Sequence, residues 1–76
     1  MAKTKKIRKL IKAANMEKPH AMYELGLRYE LGRGVRCDMA EAVYWIDEAA
    51  RVGYAPAIEW MQDYRFDDDA QTQAYS

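Results

Sequence analysis

The sequence repeats itself with an offset of 36 residues, and this repeat limits the possible folds more than any other feature. Shifting the chain by 36 positions places Ala13-Ala14 on Ala49-Ala50 and Ala21 on Ala57. The same shift aligns further apolar side chains at helical spacing: Ile7 with Val43, Leu10 with Ile46, Met16 with Val52, Met22 with Ile58 and Leu25 with Met61. A period in the thirties is typical of solenoids built from helix–turn–helix units. The repeat therefore predicts an all-α fold.

Apolar spacing and helix-end signals predict four helices in antiparallel hairpins. The first covers about residues 3–15, where four apolar residues recur at helical spacing: Ile7, Leu10, Ile11 and Ala14. The second begins near Pro19, because proline is favoured at the first helical position, and ends near Gly32. The third runs from Asp38 to Gly53, and Pro56 opens the fourth. No run of alternating β-branched residues indicates a strand.

The segment between the second and third helices carries turn and capping signals. Gly32 and Gly34 can both take positive φ, and Asp38 with Glu41 three residues later forms a capping-box pattern. The third helix is expected to bury Met39, Ala42, Val43, Ile46, Ala49 and Ala50. The fourth is expected to pack through Ala57, Ile58 and Met61, with Trp60 or Tyr64.

The small and aromatic residues from Ala21 to Ala57 resemble one Sel-1-like repeat, a branch of the tetratricopeptide-type helical repeats. The positions that carry the resemblance are Ala21, Leu25, Gly26, Tyr29, Gly32, Gly34, Val35, Asp38, Ala42, Trp45, Ala49, Ala50, Gly53 and Ala57. The resemblance implies a short right-handed α-solenoid fragment made of half a repeat, one whole repeat and another half. The last half matches less well, because Gln62 and Arg65 stand where the family has Gly and Tyr.

The resemblance also implies a place for a partner. In proteins of this family type, the first helices of successive units line a concave groove that holds a partner peptide. The residues implied to face such a groove, on the second and fourth helices, are Tyr23, Leu27, Glu30, Glu59, Asp63 and Phe66. An acidic groove with aromatic patches suits a basic or amphipathic segment. We therefore expect a protein–protein interaction module, either an adaptor or an inhibitor that docks on a larger protein.

The charge distribution leaves two alternatives open. In residues 1–18, seven basic residues against Glu17 give a net charge of +6, and five arginines against eleven acids give −6 in the remainder. The lysine-rich first helix could bind nucleic acid or an anionic surface through Lys5, Lys9 and Lys12. The second alternative is a self-assembling unit, or homo-oligomer, because short repeat stacks have exposed end faces.

Composition and chemistry narrow the class further. The 76 residues, half of them hydrophobic, allow one domain, which we place at residues 1–66, followed by an acidic flexible tail at 67–76. No stretch approaches the roughly 20 apolar residues of a membrane span, and one cysteine forms no internal disulfide, so we expect a cytoplasmic protein. His20 has no neighbouring ligand at metal-binding spacing, and Cys37 is expected to be a partly buried structural thiol. We expect no catalytic residue, no cofactor and no metal site.

Overall fold

Four helices make up the part of the chain that the computed structural model describes, residues 4–64. They are α1 (Lys5–Asn15), α2 (Pro19–Leu31), α3 (Met39–Arg51) and α4 (residues 55–64). No strand occurs within residues 4–64, which confirms the predicted all-α class for this range. The predicted tail at 67–76 lies outside the described residues, as do Arg65 and Phe66.

Local capping sets the helix ends. Thr4 Oγ1 accepts a hydrogen bond from the backbone N–H of Ile7 at 3.2 Å, so α1 begins at Lys5, two residues later than predicted. Gly32 takes the left-handed conformation, with φ of 67°, and ends α2 where the sequence predicted. The fourth helix begins at residue 55, one residue earlier than predicted, so Pro56 is its second residue.

Asp38 caps α3 as predicted, but the capping box is only half formed. Its Oδ1 accepts the backbone N–H of Ala40 at 3.0 Å and that of Glu41 at 3.2 Å. The Glu41 carboxylate bonds elsewhere, since its Oε2 accepts a hydrogen bond from Nε1 of Trp45 at 3.2 Å. The side chain at the third helical position therefore orients an aromatic ring one turn later.

The core lies between α2 and its neighbours, and Gly26 sets how closely α2 and α3 cross. A Cβ at this position would collide with Cγ1 of Ile46 and would stand 2.9 Å from the carbonyl oxygen of Ala42. Because Gly26 has no side chain, the backbones of α2 and α3 approach each other more closely than any larger residue at this position would permit. The buried apolar residues are Ile7, Ala14, Ala21, Met22, Leu25, Val35, Ala42, Ile46, Ala49, Ala57 and Met61.

Two predicted core residues are exposed. Met39 keeps 41% of its surface accessible and occupies the first position of α3. Ile58 keeps 36%, because it borders an open depression between α3 and α4. Trp60 is half-buried, whereas Tyr64 is exposed, so Trp60 is the aromatic residue of α4 that packs. Within residues 4–64, no helix has the length and apolar character that crossing a bilayer requires.

Candidate interaction surface

The second and fourth helices meet through polar and aromatic contacts. Nε1 of Trp60 donates a hydrogen bond to Oε1 of Glu30 at 3.4 Å, linking residues 30 positions apart. At the other end of the same contact, the ring of Tyr23 packs against the ring of Tyr54 with centroids 5.5 Å apart. These two contacts place the predicted partner-facing side of α2 directly beside α4.

An open cleft of about 250 Å³ lies along this contact, lined by Glu30, Trp60, Asp63 and Tyr64. The rings of Trp60 and Tyr64, one helical turn apart, stack at 5.2 Å with an interplanar angle of 11°. Two acidic side chains and a stacked pair of aromatic rings thus line one opening. Such a combination attracts cations both by charge and through the aromatic faces.

The electrostatic environment of Tyr23 shows that further acidic groups face the same side. Burial raises the pKa of Tyr23 above its ordinary value, and the nearby Tyr54, Glu30 and Glu59 raise it further. Glu59 and Asp63 are themselves exposed on α4. The negative charge of this surface is therefore accessible to a partner at its rim.

Not all residues implied by the family resemblance lie together. The structure groups Tyr23, Glu30, Glu59 and Asp63 around the α2–α4 contact. Leu27 packs partly on the core and lines a separate depression of about 200 Å³ with Glu24, Arg28, Leu31 and Arg33. Phe66 lies outside the described residues. Leu27 is thus a neighbour of this surface and not part of the cleft.

Sequence reasoning missed three residues of this surface. The sequence predicts Trp60 and Tyr64 only as packing residues, and it does not place Tyr54 on this surface. The i, i+4 spacing of Trp60 and Tyr64 was the available signal, because residues at that spacing meet on a helix surface. The hydrogen bond from Trp60 to Glu30 had no comparable signal in the sequence.

The three lysines of α1 that were predicted to bind an anionic partner do not all lie at one site either. Lys5, Lys9 and Lys12 are all exposed, but only Lys9 borders a groove between α1 and α2. This groove measures about 360 Å³, and its lining residues are Lys6, Lys9, Leu10, Ala13, Lys18, His20, Ala21 and Glu24. Its floor is apolar and its rim is mostly basic. It therefore has the opposite charge to the α2–α4 surface.

The residues of the implied repeat motif occupy two settings. Ala21, Leu25, Gly26, Ala42, Ala49 and Ala57 are buried where helices cross, while Tyr29, Trp45 and Ala50 are half-buried. Gly32, Gly34, Asp38 and Gly53 are exposed in turns and caps. The three glycines outside the helices have positive φ, which explains why turns use glycine there.

The remaining candidate groups sit apart from both surfaces or at their edges. Cys37 is exposed, contrary to the prediction that it is partly buried, because it follows the Gly32 turn on the outside of the fold; its Sγ donates to the carbonyl oxygen of Glu30 at 3.3 Å. His20 is exposed and packs edge-on against Tyr54 at 6.2 Å. Residues 4–64 contain no group of three or more potential metal-ligating side chains.

Comparison with known proteins gives a relative that matches part of the chain. An uncharacterized protein of Neisseria meningitidis serogroup B is 44% identical over 46 residues, which is 60% of this chain and 10% of that protein. The chain thus spans about a tenth of the relative's length. No family model matches the chain. No solved structure matches it either.

Proposed function

We propose that this protein is a non-enzymatic protein–protein interaction module of the Sel-1-like repeat type, acting as an adaptor or inhibitor on a larger protein. In this proposal α2 and α4 are the first helices of successive units of a short right-handed α-solenoid. The cytoplasm is the proposed location. The resemblance of residues 21–57 to one such repeat and the close Gly26–Ile46 crossing support the repeat assignment.

The observation that carries the proposal is the cleft between α2 and α4. Glu30 and Asp63 supply negative charge, while the stacked rings of Trp60 and Tyr64 supply flat apolar area. A basic side chain on a partner can lay its apolar stem on the rings and direct its charge toward the carboxylates. The partner we infer is therefore a segment of protein with arginine or lysine at its centre.

We expect aromatic side chains to supply most of the binding energy, and acidic side chains to select basic partners. Interface energy concentrates in a few residues, and aromatic side chains are enriched among them. Exposed acids such as Glu59 mainly raise the encounter rate and exclude acidic partners. Truncating Tyr23 should thus lower affinity through lost packing, whereas reversing the charge of Asp63 should act mainly on the association rate.

The test combines partner capture with two variants. The protein is immobilised and exposed to lysate of the source cell, and the captured partner is then purified and its binding measured by surface plasmon resonance. We expect Tyr23→Ala and Asp63→Lys each to weaken binding by at least tenfold, about 1.4 kcal/mol, without loss of helical circular dichroism. Glu48→Lys on α3 makes the same charge change away from the cleft and serves as the control.

The same experiment separates the alternative function. If binding survives Tyr23→Ala and Asp63→Lys and is lost when Lys5, Lys9 and Lys12 are changed to Glu, the basic face of α1 is the binding surface. Association with nucleic acid would also weaken steeply as salt rises. Equal loss in Glu48→Lys and Asp63→Lys would contradict a localised cleft.

A further inference from the structure

The groove between α1 and α2 corresponds, through the 36-residue repeat, to a surface that is already covered inside the same molecule. Ala49 and Ile46 on α3 are fully buried, and Gly26 of α2 lies directly against Ile46. Their counterparts on α1, Ala13 and Leu10, are only half-buried and line the open groove. The groove thus has the apolar floor of a helix-binding surface, and no helix within residues 4–64 covers it.

We propose that α4 of a second copy of this chain occupies the groove, so that copies associate head to tail. In the repeat α4 is the counterpart of α2, which fills the equivalent position on α3 and α4. Stacked repeats bury their apolar faces on their neighbours, and an open end face retains this capacity. This contact uses α1 as well as α2 and does not rest on the partner cleft proposed above.

A contact inside the molecule, shifted by 36 residues, gives the corresponding contact expected between two copies, and this correspondence is the first test of the arrangement. Inside the molecule, the rings of Tyr23 and Tyr54 meet at 5.5 Å. The counterpart of Tyr23 on α4 is Glu59, and the counterpart of Tyr54 is Lys18. Both Glu59 and Lys18 are exposed, and Lys18 lines the groove. Where the internal contact pairs two tyrosines, the contact between copies therefore pairs Glu59 with Lys18, which carry opposite charges.

A second transposed contact predicts a wider crossing between copies. Gly26, which lies against Ile46 and Ala42, has Gln62 as its counterpart on α4. The counterparts of Ile46 and Ala42 are Leu10 and Lys6 on α1. Longer side chains replace small ones on both sides, so the helices of two copies meet at a larger distance than α2 and α3. We therefore expect association weaker than the internal packing and reversible by dilution.

The opposite end of the molecule offers the complementary opening. Between α3 and α4 lies a depression of about 270 Å³, lined by Asp47, Ala50, Arg51, Ile58, Met61 and Gln62. In a head-to-tail contact this depression receives α1 of the following copy, which explains the exposure of Ile58. Because the two surfaces differ, the contact does not close on itself and copies add in rows.

The charge distribution supports a second copy as the occupant of the groove. Residues 1–18 carry a net charge of +6 and the remainder carries −6, so the basic end of one copy attracts the acidic end of another. A symmetric contact between two basic grooves would instead place like charges together. The heterologous arrangement is the one that the charges favour.

Sedimentation velocity on the purified 76-residue chain tests the proposal. We expect the average mass to rise with protein concentration at low salt and to fall when salt is added. Ala13→Lys places a charged chain in the groove floor and should abolish the rise. Ala40→Lys, the same substitution at an exposed position of α3, should leave it unchanged.

A charge exchange then identifies the two faces in contact. Lys18→Glu and Glu59→Lys should each weaken association about three- to tenfold, and one chain carrying both should recover it, because an exposed opposite-charge pair is restored. A monomer at every concentration overturns the proposal. So does association that persists in Ala13→Lys, or a double variant that is as weak as the product of the single ones.

Discussion

Gly26→Ala tests the close crossing of α2 and α3, because two effects of opposite sign meet there. In an ordinary helix, replacing glycine by alanine stabilises a protein by about 1 kcal/mol. At residue 26 the added Cβ would collide with Cγ1 of Ile46, which can turn, and would stand 2.9 Å from the Ala42 carbonyl oxygen, which belongs to the backbone. Overpacking of this kind costs about 1–3 kcal/mol.

Taking the middle of that range, the steric effect exceeds the helical preference by about 1 kcal/mol. For a domain of this size, such a loss lowers the melting temperature by about 4–8 °C. Thermal unfolding followed by circular dichroism at fixed protein concentration measures it. A melting temperature that rises in Gly26→Ala would show that α2 and α3 are not in close contact at this residue, and the crossing described above would be wrong.

Repeating Gly26→Ala in a protein that also carries Ile46→Val tests whether contact with Ile46 causes the loss of stability. Cδ1 of Ile46 stands 3.1 Å from the added Cβ, and Ile46→Val removes that atom at a typical cost of about 0.5–1.5 kcal/mol. In this background the penalty of Gly26→Ala should shrink, so the two substitutions should be less harmful together than their sum. Strict additivity would mean that the penalty comes from the contacts that Ile46→Val keeps, with Cγ1 of residue 46 and with the Ala42 carbonyl oxygen, and not from Cδ1.

Two further outcomes follow from the turn and the aromatic surface. Gly34 has φ of 79°, and an added Cβ would lie 2.8 Å from Cγ1 of Ile7, whereas Gly53 has φ of 88° and no atom within 4 Å of an added Cβ. Gly34→Ala should therefore lower the free energy of unfolding more than Gly53→Ala. Equal losses in urea unfolding would show that α1 does not pack on this turn. The pKa of Tyr23 is raised above its ordinary value of 10.0 by burial, Tyr54, Glu30 and Glu59, so its stabilising effect holds below that pH and is lost as pH rises through the raised pKa. Tyr23→Phe should therefore reduce the alkaline loss of stability and remove one late step from an absorbance titration, and an unchanged titration would contradict this.

Helix ends were predictable because their signals are local. Pro19, Gly32 and Asp38 act on the backbone within a few residues of themselves, and each lies at the end that the sequence predicted. The capping box was wrong in one half, because the backbone N–H of Asp38 donates to the carbonyl oxygen of Tyr29 at 3.0 Å, and the Glu41 carboxylate accepts from Trp45 instead. A pattern of four residues does not show which of two nearby donors a carboxylate will take.

Burial was less predictable because it depends on neighbouring helices. Periodicity places Met22 and its counterpart Ile58 on the same helical face, yet Met22 is buried and Ile58 is not. Packing on both sides of α2, by α1 and by α3, explains the difference, because α4 has no described neighbour beyond it. The cleft was missed for a related reason: Trp60 bonds Glu30 only after two hairpins have brought α4 beside α2.

The two proposals draw on opposite edges of α2, and both also use α4. Tyr23 and Glu30 face α4 within the same molecule, whereas Ala21 and Glu24 face the groove shared with α1. Glu59 on α4 belongs to both arrangements, since it lies near Tyr23 and is the transposed contact of Lys18 in a second copy. We therefore expect a basic partner bound at the cleft to weaken self-association, because its positive charge would offset the nearby negative charge of Glu59, which a neighbouring copy would use.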